Sequence, residues 1–361
     1  MKPTCLFILF LSWSNPALGG SLFGGYLHQV TLKEGGTSTQ IRQWVSPLRY
    51  RIPFAGGSVN IRSAVIYVQQ SGSTSQEVHT TLDTHLSGVW NLWGKGLISF
   101  YTTMPTGKRA LDEAEASLAR QLSRNDLNFP VRTLGQGLDL GGTISGALQS
   151  GHFSLSLGLG YFRKGAYEPV KGLSDYKPGD EASMTFGMDY TWKRFVYRIS
   201  VMATVYLTDR LDGTVIFQHA KQAFVQSSVH LQGERIQLKA EITEIVRLKN
   251  QDLAGGLFLY ETRDSNGNDF RIHLEGVWTP ISFLTVVGEG HLKHLSANAY
   301  AANHPLHIGR ARLWGGGGGF LLSLGRNCTL RLQATRWDGS TADRAIKLSA
   351  MNFQAGFGHR F

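Results

Sequence analysis

The chain has 361 residues, of which 36 are lysine or arginine and 26 are aspartate or glutamate, so its formal net charge at pH 7 is +10. Hydrophobic residues make up 42% of the sequence and the mean hydropathy is −0.13, which excludes a bundle of long apolar membrane helices. The basic residues are scattered instead of clustered, and we expect no nucleic-acid partner. Glycine is abundant, with 43 residues, and proline is scarce, with 10, as in chains with many strands and tight turns.

The first residues predict export from the cytoplasm. Lys2 precedes the apolar run 5–11, and small residues follow at 17–20. A charged start, a short apolar middle and a small-residue exit are typical of a secretory signal peptide, with cleavage near Gly19. We therefore expect residues 1–19 to be removed.

The mature chain is predicted to form one domain. Residues 20–361 contain no Pro/Ser linker, no charge block and no shift in composition that would mark a boundary. Cys328 is the only thiol left after removal of the signal, so an internal disulfide and cysteine-based metal sites are excluded. We expect no cofactor.

Extended segments with alternating polarity occupy most of the remaining sequence. The clearest is 195–207, where Phe195 and Tyr197 begin an apolar series while Arg198 and Ser200 fall on the other parity. A strand needs this period of two when one face meets lipid and the other meets water. A soluble sandwich would show the same pattern in fewer strands.

The last segment, residues 351–361, places Phe357, His359 and Phe361 on one parity and small or polar residues on the other. It resembles the terminal strand of Gram-negative outer-membrane β-barrels, whose last residue is typically phenylalanine. The resemblance implies a location in the outer membrane, contact with lipid and lipopolysaccharide, and recognition of these three residues by the barrel-assembly machinery. The alternative is an ordinary half-buried strand of a soluble domain.

Short turns alternate with longer connections along the chain. Because outer-membrane barrels have short periplasmic turns and longer outer loops, this pattern predicts an all-β, antiparallel, up-and-down transmembrane barrel of about sixteen strands. Both chain ends then lie in the periplasm, and the apolar pieces 215–217 and 257–259 are strand extensions inside outer loops. The short turns lie at 54–57, 93–96, 149–151, 193–194, 233–234, 279–280 and 325–327, and the longer connections at 69–83, 105–134, 165–180, 209–222, 249–268, 296–309 and 338–346.

The connection after the fifth strand is predicted to contain a helix. Leu111, Ala114, Leu118 and Leu122 recur at helical spacing within residues 111–124. By position the connection resembles the third outer loop of sixteen-stranded porins, which folds inward and narrows the pore in that family. The resemblance implies a constriction or plug, whereas the sequence leaves equally open a helix that lies across the barrel mouth. The charged residues of this segment are Lys108, Arg109, Asp112, Glu113, Glu115 and Arg120.

The polar parity of the strands gives a predicted pore lining. Charged side chains on the lipid face would cost about 2–4 kcal/mol near the midplane, so their restriction to one parity favours a barrel. Bases outnumber acids in this set, and fixed charges of one sign favour the passage of anions. The alternative is a structural network of ion pairs that closes the pore. The predicted lining residues are Arg62, Arg198, Lys239, Glu241, Arg271, His273, Glu275, Glu289, His291, Lys293 and Arg331.

Aromatic residues are predicted to form a girdle at each membrane interface, since amphipathic rings favour the headgroup level. One group lies beside the short turns and the other toward the long connections. The first is Trp93, Trp192, Trp278 and Phe361, and the second is Tyr67, Tyr101, Tyr161 and Trp337.

Motifs for catalysis or metal binding are weak. Residues 105–108 resemble the end of a phosphate-binding loop, but the leading glycine is missing. His291 and His294 fall on opposite faces of a strand, so the pair is not expected to share a metal ion. We expect no enzymatic activity.

Residues 101–108, 165–169 and 175–180 resemble loops of the outer-membrane barrels of the "meta-pathway of phenol degradation" type. The resemblance implies uptake of small aromatic or otherwise hydrophobic molecules. Two functional expectations follow: a channel or transporter for small anionic, aromatic or hydrophobic solutes, and a non-conducting barrel that serves as a scaffold or binds a partner through outer loops such as 249–268. The sequence does not determine whether copies of the chain associate into a homo-oligomer.

Overall fold

The computed structural model describes residues 20–72, 75–92, 94–173 and 175–360. The predicted signal peptide over residues 1–19 lies outside the described residues, as do Trp93 and Phe361. The predictions for these parts of the chain stay predictions.

Seventeen strand segments form one sheet that closes on itself. Segments β4 (Gln76–Thr81) and β5 (Thr84–Leu92) both pair with β3 (Gly57–Ser71), at successive stretches, so they are two parts of one interrupted strand. The sheet is therefore a barrel of sixteen strands. The segments are β1 (Gly20–Glu34), β2 (Thr37–Phe54), β3 (Gly57–Ser71), β4 (Gln76–Thr81), β5 (Thr84–Leu92), β6 (Gly96–Met104), β7 (Asp139–Ser150), β8 (Phe153–Arg163), β10 (Glu181–Trp192), β11 (Phe195–Tyr206), β14 (Gln222–Gln232), β15 (Ile236–Arg247), β18 (Asp269–Ile281), β19 (Leu284–Leu295), β20 (Ala311–Leu324), β21 (Cys328–Thr341) and β22 (Ile346–Arg360).

The barrel is antiparallel throughout, and its neighbouring strands follow chain order. The first and last strands close it, with Phe23 of β1 opposite Phe357 of β22. The predicted short turns all join adjacent strands at one end, which we call the short-turn end, and the longer connections lie at the opposite, long-loop end. The up-and-down architecture predicted from the alternating polarity and the tight turns is therefore confirmed.

Two of the predicted long connections are shorter than expected. Within 69–83, β3 and β4 continue to pair up to Gln70 and Gln76, and within 338–346 β21 continues to Thr341. In the extended β3–β4 pair, Val68 and Val78 face each other and are fully buried inside the barrel.

A second, five-stranded sheet is built from the outer connections. The apolar pieces 215–217 and 257–259 lie in it, which confirms that they are not strands of the barrel wall. Its members are β9 (Tyr176–Lys177), β12 (Thr208–Leu211), β13 (Thr214–Gln218), β16 (Gln251–Ala254) and β17 (Leu257–Tyr260).

The predicted helix is α1 (Glu113–Leu122), in the connection after the fifth barrel strand. Asp112 caps it in a reciprocal arrangement with Glu115, which satisfies two backbone N–H groups of the first turn. Its buried face differs from the predicted one, because Ala114 is exposed while Ala116 and Ala119 are buried. None of the described helices has the length and hydropathy needed to cross a bilayer.

The outer face of the barrel is apolar. Leu157 and Leu159 of β8, Phe186 of β10 and Trp192 and Trp278 beside short turns are all exposed. The largest buried apolar cluster lies on the inner side, where the connection containing α1 packs against the strands. The barrel is therefore filled from within at its long-loop end.

The aromatic girdles are only partly as predicted. Trp192 and Trp278 are exposed beside their turns, and Tyr161 is exposed near the long-loop end. Tyr101 and Trp337 belong to the other face, because Tyr101 bonds His85 and Trp337 stacks on His291, and both histidines are inside the barrel. Their assignment to a girdle was wrong, since parity and not residue type decides which face a strand residue occupies.

Candidate functional site: the barrel interior

Residues 105–138, which we call the inner loop, fold into the barrel. They leave the wall after β6, the fifth barrel strand, and the side chain of Lys293 on β19 donates a hydrogen bond to the backbone carbonyl of Asn125. Strand β19 is the thirteenth of the sixteen, eight positions from β6, so the inner loop crosses the bore to the opposite wall. Of the two orientations that the sequence left open, the structure has the inward one.

Three further hydrogen bonds between distant parts of the chain hold the inner loop. The Gln43 amide on β2 donates to the Val131 carbonyl at 2.8 Å and accepts from the Val131 N–H at 3.0 Å. Thr341, at the end of β21, donates to Asp126 at 2.6 Å. Because β2, β19 and β21 are separate parts of the wall, the loop is fixed from several sides.

The inner loop packs mainly on apolar inward-facing side chains. Leu118, Leu122 and Leu127 are fully buried, and the Phe129 ring packs edge-on against His28 with centroids 5.0 Å apart. Burial of each such side chain favours the packed state by about 1.5–3 kcal/mol. We call the wall residues of this contact the apolar sector: Val30, Leu32, Ile41, Val45, Ala64, Ile66, Val68, Val78, Leu313, Leu348 and Ala350.

Asp83 joins the two ends of the inner loop. Its two carboxylate oxygens accept from the backbone N–H groups of Gly107 at 2.8 Å and Gln136 at 2.7 Å, and it is 6% exposed. The two ends run so close together that a Cβ at Gly107 would lie 2.4 Å from the Leu134 carbonyl oxygen, and one at Gly135 would lie 2.6 Å from that of Lys108. Glycine is therefore required where the loop enters and leaves the barrel.

The charged residues predicted for the constriction have different environments. Lys108 forms an ion pair with the buried Glu115, which also accepts from the Asp112 N–H, so these three stabilise the loop itself. Arg109, Glu113 and Arg120 are exposed. Four of the six charged residues are therefore exposed, since Asp112 is exposed as well.

Several predicted lining residues are paired along the wall. Arg198 bonds Asp189 at 2.8 Å, Lys239 bonds Glu241 at 2.7 Å, and Arg271 bonds Asp269 through two nitrogens. The remaining predicted cations other than Lys293 are Arg62 and Arg331, toward the short-turn end. Arg62 lies directly opposite Arg49, which the prediction missed, across the β2–β3 pair.

The opposite wall carries small polar side chains. Inward positions of β7, β8 and β10 are mostly serine, threonine or glycine, and those of β11 and β14 include Ser200, Gln226 and Ser228. Among the described residues, none of these inward positions belongs to the buried cluster around the inner loop. Small side chains leave more of the bore free than the arginine, histidine and tyrosine side chains of the facing wall. We call this wall the polar sector: Thr143, Ser145, Ser154, Ser156, Gly158, Ser183, Thr185, Gly187, Ser200, Gln226 and Ser228.

The remaining predicted lining residues lie near the middle of β18 and β19. The rings of His273 and His291 stack with centroids 4.6 Å apart, and Glu289 lies 3.4 Å from the His291 imidazole. Glu275 is directly opposite Glu289 across the two strands.

A closed barrel has no unpaired sheet edge, and together with the apolar outer face this satisfies what a bilayer requires of a spanning chain. These features define a transmembrane β-barrel of sixteen antiparallel strands. Its apolar outer face has the polarity that contact with membrane lipid requires.

Solved structures similar to this chain include several bacterial outer-membrane proteins. OpdQ of Pseudomonas aeruginosa is 8% identical, with 95% of this chain and 98% of that chain covered and a TM-score of 0.48. OccK7 (OpdD) of the same organism is 9% identical, with coverage of 95% and 100% and a TM-score of 0.46. The outer membrane channel DcaP of Acinetobacter baumannii is 11% identical, with coverage of 95% and 98% and a TM-score of 0.45. No family model and no curated protein matches the sequence.

The sequence interpretation missed Asp83, Gln43 and His28, all of which hold the inner loop. A signal for two of them was present. Gln43 lies between Ile41 and Val45 on the inward parity, and His28 precedes Val30 on the same parity, so each is a polar residue beside apolar inward positions. Such a polar side chain is expected to bond a group inside the barrel, because a buried polar group needs a partner.

Proposed function

We propose that the protein is an outer-membrane channel for small solutes whose bore is narrowed by the inner loop. The observation that carries this proposal is the anchoring of residues 105–138 on the wall opposite their origin, through Lys293 and Thr341. A segment held in this way reduces the cross-section and brings its own exposed charges into the path. The proposed role is passage of solute, without a catalytic step.

The proposed path follows the polar sector. Residues such as Ser154, Ser156 and Thr185 are half-buried and small, and their hydroxyl groups can replace part of the hydration shell of a passing molecule. The inner loop covers the apolar sector with Leu118, Leu122 and their neighbours. On that side of the path, a solute would therefore contact the loop and not the wall strands.

Anionic solutes fit this interior best. Arg49 of β2, Arg62 of the neighbouring β3 and Arg331 of β21 all face inward in the half of the barrel toward the short turns, which is the proposed periplasmic end. Two guanidinium groups placed directly opposite each other across a strand pair repel, and an anion between them offsets that repulsion. Aromatic or hydrophobic solutes are the alternative class that the resemblance of loops 101–108 and 165–180 implies.

A second candidate function is a non-conducting barrel that acts as a scaffold or binds a partner at the cell surface. The extent of the buried cluster inside the barrel favours it, since a fully closed bore would pass no solute. The five-stranded outer sheet, including part of residues 249–268, would then be the contact surface.

Planar-bilayer conductance tests the two candidates. The variant replaces residues 109–133 with a short Gly/Ser link and keeps Lys108, Gly107, Gly135 and Asp83, while the matched control removes the tip of the β16–β17 hairpin at 253–258. For a narrowed channel we expect a small anion-selective current from the natural protein, several-fold more from the variant and no change from the control. Current from the variant alone would support the non-conducting barrel, and no current from any form would contradict the channel.

Assembly and association are part of the proposal. Phe357 is 42% exposed on the outer face of β22 and His359 follows on the same parity, as the proposed recognition by the barrel-assembly machinery requires. Lipopolysaccharide contact and self-association would use the same apolar outer face.

A further inference from the structure

Two histidines and a glutamate form a compact group inside the barrel. His273 of β18 and His291 of β19 are directly opposite in the strand register, with parallel rings 4.6 Å apart. Glu289 is two residues from His291 on the same face, and its carboxylate lies 3.4 Å from the His291 Nε2. One nitrogen from each histidine and one oxygen of the glutamate lie within 4.8 Å of one another.

Glycines of the next strand allow this group to form. Gly315 and Gly317 of β20 lie between β19 and β21 in the register, opposite His291 and Glu289. A Cβ at Gly315 would lie 2.8 Å from the Trp337 ring, and one at Gly317 would lie 2.9 Å from the Thr335 hydroxyl. Without side chains on β20 in between, residues of β21 reach across to the group on β19.

The two side chains from β21 fix the group from one side. Trp337 stacks on His291 with centroids 4.8 Å apart, and the Thr335 hydroxyl donates to the Glu289 carboxylate. Carboxylates that bind a metal ion are themselves hydrogen-bonded by supporting residues, as Glu289 is by Thr335.

The neighbouring cations are engaged elsewhere. Lys239 pairs with Glu241, Arg271 pairs with Asp269, and Lys293 bonds the inner loop at Asn125. In contrast, the Nε2 atom of His273 is buried and has no hydrogen-bond partner among the described residues. A buried ring nitrogen without a partner is costly unless something binds it.

We propose that His273, His291 and Glu289 bind one divalent transition-metal ion, with Zn²⁺ as the best match. Two imidazoles and one carboxylate are a ligand set that zinc sites use, with the fourth position left to water. With metal–ligand bonds of about 2.1 Å, ligand atoms around a tetrahedral ion lie about 3.4 Å apart. Rotation of the two imidazole rings about χ2, a soft torsion, closes the present spacing.

The site differs from the one that the sequence suggested and rejected. His291 and His294 remain on opposite faces of β19, so the second imidazole comes from the neighbouring strand. His294 is therefore a matched control, since it is on the same strand three residues away and outside the group.

Zinc titration by isothermal calorimetry tests the proposal, using chelator-treated full-length protein without a histidine tag. We expect one Zn²⁺ per barrel in the natural protein and at least tenfold weaker binding in His273→Ala and in His291→Ala. Thr335→Val should weaken binding about tenfold, as loss of a supporting hydrogen bond does. His294→Ala should bind as the natural protein does. Co²⁺ in place of Zn²⁺ should give the visible absorption of a four-coordinate ion.

Equal zinc binding by His273→Ala and the natural protein would overturn the proposal, as would an equal loss in His294→Ala. Circular dichroism and heat-dependent gel mobility of every variant distinguish lost binding from lost folding, and Thr335→Val leaves all three ligands in place. Because the readout requires no current, a negative result leaves the channel proposal untouched, and a barrel that does not conduct would still bind the ion.

Discussion

The apolar sector and the polar sector belong to the same barrel, but their inward-facing residues differ in polarity and in burial. In the apolar sector, inward positions such as Ile41, Ile66 and Leu313 are fully buried under the inner loop. In the polar sector, inward positions such as Ser154 and Thr185 are half-buried and no part of that cluster. The strands have the same geometry in both sectors, so the difference comes from what each inner face contacts.

This difference shows that the alternation of polarity along a strand indicates what each face contacts. It does not by itself indicate which face points into the barrel. Where water fills the interior, the inward residues are polar, as the prediction assumed. Where the inner loop fills it, both faces of a strand are apolar, as with Ala64 and Ile66 inside and Val65 outside. A run with both parities apolar in a barrel strand therefore indicates a packed segment inside.

The prediction with the largest expected effect compares one new charge against the apolar sector with one in the polar sector. Leu118→Asp puts an unpaired carboxylate at a fully buried position of α1, and we expect the packed loop to lose about 4 kcal/mol or more. Hydrogen exchange of the inner loop should accelerate strongly and bilayer conductance should rise. Ser156→Asp, in the polar sector, should leave hydrogen exchange unchanged, and equal effects of the two substitutions would contradict the division into sectors.

Gln43→Leu removes the amide that bonds both backbone groups of Val131 while keeping a similar side-chain volume. Two buried backbone groups are then unsatisfied, and we expect the free energy of local opening of residues 125–134 to fall by about 2–4 kcal/mol. Hydrogen exchange at these residues measures it. Gln226→Leu, in the polar sector, is the control, and an equal loss of protection there would argue against a specific anchor.

Lys293→Met tests the anchor on the far wall. The substitution removes the bond to the Asn125 carbonyl but also relieves the desolvation of a lysine that is 1% exposed, so the two effects partly cancel. We expect a loss of about 1 kcal/mol in loop protection, with a small rise in conductance. A loss of loop protection larger than that of Gln43→Leu would show that the contact with the far wall, and not the contact with the apolar sector, contributes most to holding the inner loop in place.

The smallest effect is expected outside the barrel wall, where His307 bonds Asp343 at 2.7 Å between two outer connections. The Asp343 carboxylate raises the pKa of His307, and the His307 imidazole lowers the pKa of Asp343. The histidine contribution is therefore complete below the unfolded pKa of about 6.5 and is lost as pH rises through the raised folded pKa. The aspartate contribution is present above about pH 4 and is lost as pH falls through the lowered folded pKa.

The protection factors of residues 298–308, which are corrected for the intrinsic pH dependence of amide exchange, should accordingly be highest between these limits and lower at higher pH. His307→Gln should remove the dependence above neutral pH. Protection of the inner loop should not follow it, because its anchors lie inside the barrel, and a parallel change in both regions would contradict their independence.

The sequence could predict the strands, their parity and the helix because these depend on neighbours within a few residues. Arg198, Lys239 and Arg271 were assigned to the inner face by alternation alone, and each has an acidic partner there. The periodicity of Leu118 and Leu122 gave a helix after the fifth strand. The proposed metal-binding group of His273, His291 and Glu289 was not recognised from the sequence, since the sequence does not state which residues of two strands face each other.

The sequence by itself determined a barrel of about sixteen strands with an apolar outer face, because steric alternation and turn chemistry are local. Only the tertiary structure decided that the inner loop lies inside the bore. That outcome depends on contacts such as His28 with Leu127 and Lys293 with Asn125, which join residues 99 and 168 positions apart. Such contacts exist only after the barrel has closed, so no local pattern of residues 105–138 could have specified them.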